Sequence, residues 1–325
     1  LQRKTHGLKP VPPIADRNDF DFLEGRKMAK GDGVNGAGQG RRNFLKAAGT
    51  AAVVLATTND AIGKASASKS SVQRGPRPAE AVDRGLWVTW YDLPDDGRDA
   101  YLSWLHGTYL PAMVKRPGYL WAAHYYCDVL EGGAANATRF HHVDDPSIGR
   151  GYHYILLIGA TDAGVFGNPI PSEIHAALPE QDRKMLALRT GERMNLFTEA
   201  CRLRGKGGEV YKEGVIASPY MQMGSWICPP EYEEGMLAAY VQHRMPAICE
   251  FPSSIMMRKF NSVAGWAKHM VFYEYASKEG YDRDYDPATK KSPLTIGGQP
   301  LVPHFTHSPN GPNEAVRIWP PVRKA

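Results

Sequence analysis

From Leu86 to Tyr91 the chain is apolar and aromatic but for Thr89, LWVTWY, and the turn residues Asp95, Asp96 and Gly97 follow closely. The run predicts a strand, and the turn predicts a capped helix start with carboxylates at its positive end. On that helix Leu102, Leu105, His106 and Tyr109 recur at i, i+3, i+4 and i+7, which gathers them on one face. Pro111 and Pro117-Gly118 end it ahead of a second strand, Tyr119 to Tyr126. Tyr152 to Ile158 predicts a third strand, Ser172 to Arg204 a helical region and Glu209 to Ala217 a fourth strand. The order β-α-β-β-α-β is the ferredoxin-like arrangement.

The pattern restarts at Tyr220 to Cys228, a strand followed by Pro229-Pro230 and by a helix over Glu231 to Met245 on which Met236, Tyr240 and His243 share a face. Ser254 to Phe260, Lys268 to Ala276 and Ala315 to Trp319 predict three more strands. Between them, Ser277 to Phe305 is polar and rich in Pro and Gly, so the second helix of this half is expected to be lost or replaced by a wrapping tail. A four-stranded sheet with its helices on one side leaves its other face bare, and a second such sheet covers it. The expected fold is α+β: two ferredoxin-like units packed sheet to sheet as a fused α+β barrel. The short connection from Glu209 to Trp226 argues against two units on a flexible string.

Upstream the pattern changes. Residues 1–40 are rich in Gly, Pro and charge and are expected to be a disordered or mis-called N-terminal extension. Residues 41–67 carry Arg41-Arg42, then Phe44-Leu45, a short apolar run and Ala65-Ser66-Ala67, the layout of a twin-arginine signal peptide. Its apolar run is too short to span a bilayer stably, so the mature protein is expected to be periplasmic or secreted, with the twin-arginine translocation machinery as a transient partner. Residues 68–85 read as a linker, 86–218 as the first unit and 219–325 as the second, degenerate unit with its tail. Charge sharpens this division. The chain of 325 residues has a net charge of +5, and residues 1–67 hold the whole surplus: eleven Lys and Arg against six Asp and Glu. The balanced remainder gives no electrostatic case for binding nucleic acid or an anionic membrane.

Trp90-Tyr91-Asp92-Leu93-Pro94, then Tyr101, His106, Tyr109-x-Pro111 and Pro117-Gly118, resemble the EthD-like branch of the dimeric α+β barrel superfamily. The second half keeps only Tyr240, His243 and Pro246 of that pattern. The resemblance implies an α+β barrel for a small cyclic or aromatic compound, in a superfamily that includes cofactor-free isomerases, cyclases and monooxygenases, members that hold haem, and members without assigned activity. Association with a second copy of the chain is a further expectation.

His106 lies on the apolar helix face where Tyr91 and Tyr109 gather, and a neutral imidazole there exchanges a proton with a phenol or enol near neutral pH. His106, Tyr91 and Tyr109 are the catalytic candidates, and Trp90, Tyr101, Trp121, Tyr240 and His243 the ligand-binding ones, because aromatic side chains give large contact area with few rotamers to freeze. The leading functional expectation is cofactor-free proton transfer of isomerase, lyase or monooxygenase type. The alternatives are a non-catalytic periplasmic binding or accessory protein and, as a minor case, a haem-binding barrel. The cluster His141-His142-x-Asp144-Asp145 matches no metal-ligand spacing, and no metal is expected. Cys127, Cys201, Cys228 and Cys249 allow three full pairings, among which the sequence does not choose.

Overall fold

The computed structural model describes residues 83–127, 140–210, 217–291, 294–296 and 298–322. The signal-peptide residues Arg41, Arg42, Phe44, Leu45, Ala65 and Ala67, the N-terminal extension and most of the linker lie outside these residues. No helix among them is long and apolar enough to cross a membrane.

The first half runs β1 (Gly85–Asp92), α1 (Arg98–Trp104), a π-helical turn (Leu105–Tyr109), α2 (Leu110–Met113), β2 (Tyr119–Tyr126), β3 (Tyr154–Ala160), α3 (Pro171–Ala176), α4 (Glu180–Leu186) and β4 (Thr190–Arg204). After a short α5 (Gly207–Val210), the second half runs β5 (Tyr220–Ile227), α6 (Pro230–Ala239), a second π-helical turn (Tyr240–Arg244), α7 (Met245–Cys249), β6 (Ser254–Ala264), β7 (His269–Tyr275) and α8 (Lys278–Lys291). A small hairpin, β8 (Thr295–Ile296) and β9 (Gln299–Pro300), precedes β10 (Thr306–His307) and β11 (Asn313–Trp319).

The strands close on themselves in the order β5-β11-β2-β3-β1-β4-β6-β7, with β7 returning to β5 and β10 continuing the β11 edge beside β5. All the inter-strand ladders of the barrel are antiparallel. Within each half the strands take the same order, fourth-first-third-second, and the halves join where β4 meets β6 and β11 meets β2. The fold is therefore an α+β barrel, and closure removes the open sheet edges.

Strand alternation divides the core. Leu86, Val88, Trp90, Trp121, Tyr125, Phe197, Met223, Phe260 and Phe272 fill the barrel interior. The outward residues of β1 to β3 pack under α1 and its π turn, with Trp87, Tyr91, Tyr101, Leu105 and Tyr109 in one layer. Those of β5 to β7 pack under α6 to α8.

The two π turns have a common cause. Pro111 has no N–H to give the carbonyl four residues back, and its ring crowds that carbonyl. The helix continues by widening, and the Leu110 N–H donates to the Leu105 carbonyl. Pro246 does the same for the second half, where the Met245 N–H donates to the Tyr240 carbonyl. Tyr109 and Arg244, each two residues before its proline, are both buried at the ends of these turns.

Three expected elements are corrected. The span read as helix to Arg204 holds only the short α3 and α4, and Thr190–Arg204 is instead the fourth strand, longest of the barrel. Its charged residues tolerate helix or strand, and pairing with β1 on one side and β6 on the other decides for strand. The strand expected over Glu209 to Ala217 begins in α5, and 211–216 lie outside the described residues. The second helix of the second half is also present, as α8. Gly280 and Pro287 disguise it, but Asp284 accepts from Ser253 Oγ at 2.6 Å and Tyr281 donates to Glu314 at 2.7 Å, which anchor it to the barrel.

Candidate functional site

The helix-side layer of the first half brings together Tyr91, Tyr101, His106 and Tyr109, four of the eight residues expected from sequence. Two further residues tie them into a polar network. His124 on β2 is fully buried; its Nε2 lies 2.8 Å from the Tyr91 hydroxyl and its Nδ1 2.9 Å from His106 Nε2. Arg189, just before β4, is also buried; its Nε donates to the Tyr101 hydroxyl at 2.7 Å and its Nη1 to Glu192 at 3.1 Å. Its guanidinium carbon stands 4.7 Å from the centre of the Tyr91 ring, and Tyr109 shares a 2.9 Å hydrogen bond with His175 Nε2 on α3.

Burial sets the protonation of this cluster. His124 is held well below the ordinary histidine range by desolvation first, then by His106 and the Arg189 cation. Desolvation lowers His106 as well, and desolvation followed by Arg189 pushes His175 down to about 4. Tyr91, Tyr101 and Tyr109 are all raised, chiefly by burial, so they are phenols rather than phenolates. The result is a neutral chain Tyr91–His124–His106 beside one buried cation. Among the described residues Arg189 Nη2 and His106 Nδ1 have no hydrogen-bond partner. His106 is half-buried and stacks on Trp319 of β11, so it stands at the outer end of the chain.

The other expected residues lie elsewhere. Trp90 neighbours Tyr91 in sequence and therefore points through the sheet into the barrel, where it donates to Asn313 at 3.1 Å under the Arg193 guanidinium. Trp121 is inside the barrel too, donating to Asp83 at 2.8 Å. Tyr240 is buried in the second half, stacked on Trp226. His243 is exposed, because the π turn gives the inward position to Arg244.

His141 and His142 belong to a turn segment: His142 shares a 2.6 Å hydrogen bond with the Gly311 carbonyl, Asp144 pairs with Arg150 and Asp145 accepts from Ser147. A different trio, Cys228, Glu233 and His269, places three ligand-type atoms within 4.8 Å of one another. A metal ion there would have to displace the Lys268 ammonium, 2.6 Å from Glu233, and stand near buried Lys259, whose Nζ is 3.4 Å from His269 Nδ1. Burial also raises the Cys228 thiol, which keeps it protonated. All four cysteines are free thiols.

Arg189 and the Cys228 trio had no signature in the sequence, since their members come from separate elements. His124 did have one. It is a lone polar residue on an apolar strand and shares the alternation of Ala122 and Tyr126, which face the helix.

No family model and no curated protein matches this sequence. Among solved structures, a monooxygenase-like protein from Lactobacillus acidophilus NCFM aligns at TM-score 0.42 and 13% identity, over 72% of this chain and 94% of its own. An anthrone oxidase-like protein aligns at TM-score 0.42 and 11% identity, over 73% of this chain and 93% of its own. A mutant chlorite dismutase from Candidatus Nitrospira defluvii, in complex with cyanide, aligns at TM-score 0.42 and 9% identity, over 72% and 90%.

Proposed function

We propose that this protein is an exported α+β barrel that binds a small aromatic or cyclic hydroxy compound beside the α1 helix and moves a proton on it without a metal. The observation that carries this reading is the hydrogen-bonded chain His106–His124–Tyr91 next to the buried Arg189. When a bound phenol or enol gives up its O–H proton to His106 Nδ1, the His106 Nε2–H donates to His124 Nδ1 and the His124 Nε2–H donates to the Tyr91 oxygen. The second imidazole thus orients and stabilises the cation formed on the first. The new phenolate or enolate is opposite in charge to the buried Arg189 cation, whose Nη2 has no partner among the described residues. Because His106 is otherwise neutral, the proton is easily returned to another atom, which suits isomerase- or lyase-type chemistry. The layout of Arg41-Arg42 and Ala65 to Ala67 supports export through the twin-arginine route.

The probe 4-nitrophenol tests this reading, since its phenolate absorbs in the visible and its phenol does not. At a pH below the probe's own pKa, the protein-bound probe is expected to show more phenolate than the probe in buffer. His106→Ala should bind the probe yet leave it a phenol. Equal phenolate in the variant and the native protein would remove His106 from the acid–base role.

A further inference from the structure

A cavity of about 110 Å³ lies on the outer face of the second-half sheet, between β5 and β7, the end of the second π turn, α8 and the C-terminal segment. Strand register explains its presence. Tyr91 pairs with Tyr154, the first residue of β3, and Trp226 pairs with His269, the first residue of β7. Trp226 therefore stands where Tyr91 stands, Gly224 where Thr89 stands, and Gln222 where Trp87 stands. The first half fills this layer with an indole and a threonine. The second half has an amide and a hydrogen atom at those places, and the space remains. On the other edge of β5 the chain leaves β10 and enters β11, so His307 lies opposite Trp226 and Glu314 opposite Gln222, with Pro312 over Gly224.

The cavity wall holds unsatisfied polar atoms. Gln222 is 5% exposed and His307 6%, yet Gln222 Oε1 and both ring nitrogens of His307 have no hydrogen-bond partner among the described residues. Leaving each such buried group unpaired is costly, so a ligand that satisfies them recovers that energy. Burial first, then His142 and His141, pushes His307 down to about 3, which leaves it neutral with one N–H donor and one bare nitrogen. The charged wall residues are already engaged: Arg244 donates to the Tyr285 hydroxyl at 3.2 Å, and Glu314 accepts from Tyr281 at 2.7 Å and Tyr220 at 3.3 Å. Trp226, with Phe305 and Tyr240 stacked on it, makes an aromatic wall. An engineered cavity of about 150 Å³ takes up benzene, so this space suits one ring rather than a macrocycle such as haem.

We propose that the second half carries its own binding site for a neutral, single-ring aromatic compound with an O–H or N–H donor, held by Gln222 and His307 against Trp226. This site is separate from the His106 site and does not depend on it.

Fluorine NMR of 4-fluorophenol with the full chain tests the proposal. The second-half site is expected to give a bound resonance that is unchanged in His106→Ala and disappears in Gly224→Val, whereas a resonance from the His106 site shifts in His106→Ala and survives Gly224→Val. A β-carbon at residue 224 meets its neighbours at ordinary contact distances of 3.5 Å and more, so the valine fills the cavity without breaking the strand. Gln222→Met, which keeps the volume and removes the acceptor, should weaken binding about tenfold, the equivalent of roughly 1.4 kcal/mol. Fluorobenzene, which lacks the donor, should also bind about tenfold more weakly than 4-fluorophenol. If no bound resonance is both unchanged in His106→Ala and lost in Gly224→Val, or if that resonance shows equal affinity in Gln222→Met or for the two probes, the proposal is overturned.

Discussion

Replacing Arg258 with Met is expected to lower the unfolding free energy by about 3–5 kcal/mol, read as a fall in the urea midpoint at neutral pH. Arg258 Nε donates to Glu199 at 2.6 Å, and its Nη1 and Nη2 donate to the Asp83 carboxylate and carbonyl at 2.9 Å and 2.5 Å. Arg202 donates to both carboxylates as well. The cluster ties the start of β1 to β4 and β6, so it clamps one of the two seams where the halves of the barrel meet. Most of the penalty comes from leaving Asp83 and Glu199 charged, buried and short of one cation, so adding Asp83→Asn to Arg258→Met should restore part of the stability. The sign with pH follows. Burial tends to raise Asp83, but Arg258 and then Arg202 outweigh it and hold the carboxyl below its ordinary 3.8. This contribution is present above that value and is lost as pH falls through the lower folded value. The native protein should therefore lose stability in acid more steeply than the double variant.

Glu274→Gln is expected to act in the opposite direction, stabilising the protein by on the order of 3 kcal/mol at pH 8 and leaving it nearly unchanged at pH 4. Glu274 is buried on the interior face of β7, where desolvation, only partly offset by Arg258, pushes its carboxyl up to about 7 from 4.5. A folded value above the unfolded one gives stability that is complete below 4.5 and is lost as pH rises through about 7. The amide removes that loss and still accepts from the Ser218 N–H, now 3.1 Å from Oε1. Urea unfolding of both proteins across the window measures it. Parallel stability curves would mean that the Glu274 carboxyl titrates alike in the folded and unfolded chain, without the raised folded value.

Strands β1, β2, β3, β5 and β7 are legible because their aromatic and β-branched runs are bounded by Pro, Gly or charged turns, and their grouping in two sets of the same order follows from them. β4 is not legible, since its alternation is weak and its conformation is fixed by two neighbours far away in sequence. The π turns escape a reading based on 3.6-residue spacing: Pro111 and Pro246 look like helix ends, yet the helices pass through them. For the same reason Arg244, not His243, turns inward. The gathering of Tyr91, Tyr101, His106 and Tyr109 could be read from strand and helix periodicity. The separation of Trp90 from Tyr91 could also have been read, from two-residue alternation alone. Arg189 could not, because its role arises only when the segment before β4 comes under the rings of Tyr91 and Tyr101.

The proton chain is the centre of this account, and nitrogen-15 NMR of the imidazoles reports on it directly. In the free protein, His106 and His124, both held below the ordinary histidine value by burial, are expected to be neutral at about pH 7 and above. With saturating 4-nitrophenol, His106 should show two protonated nitrogens while His124 stays neutral. A His106 signal that remains neutral in the presence of the probe would contradict the account.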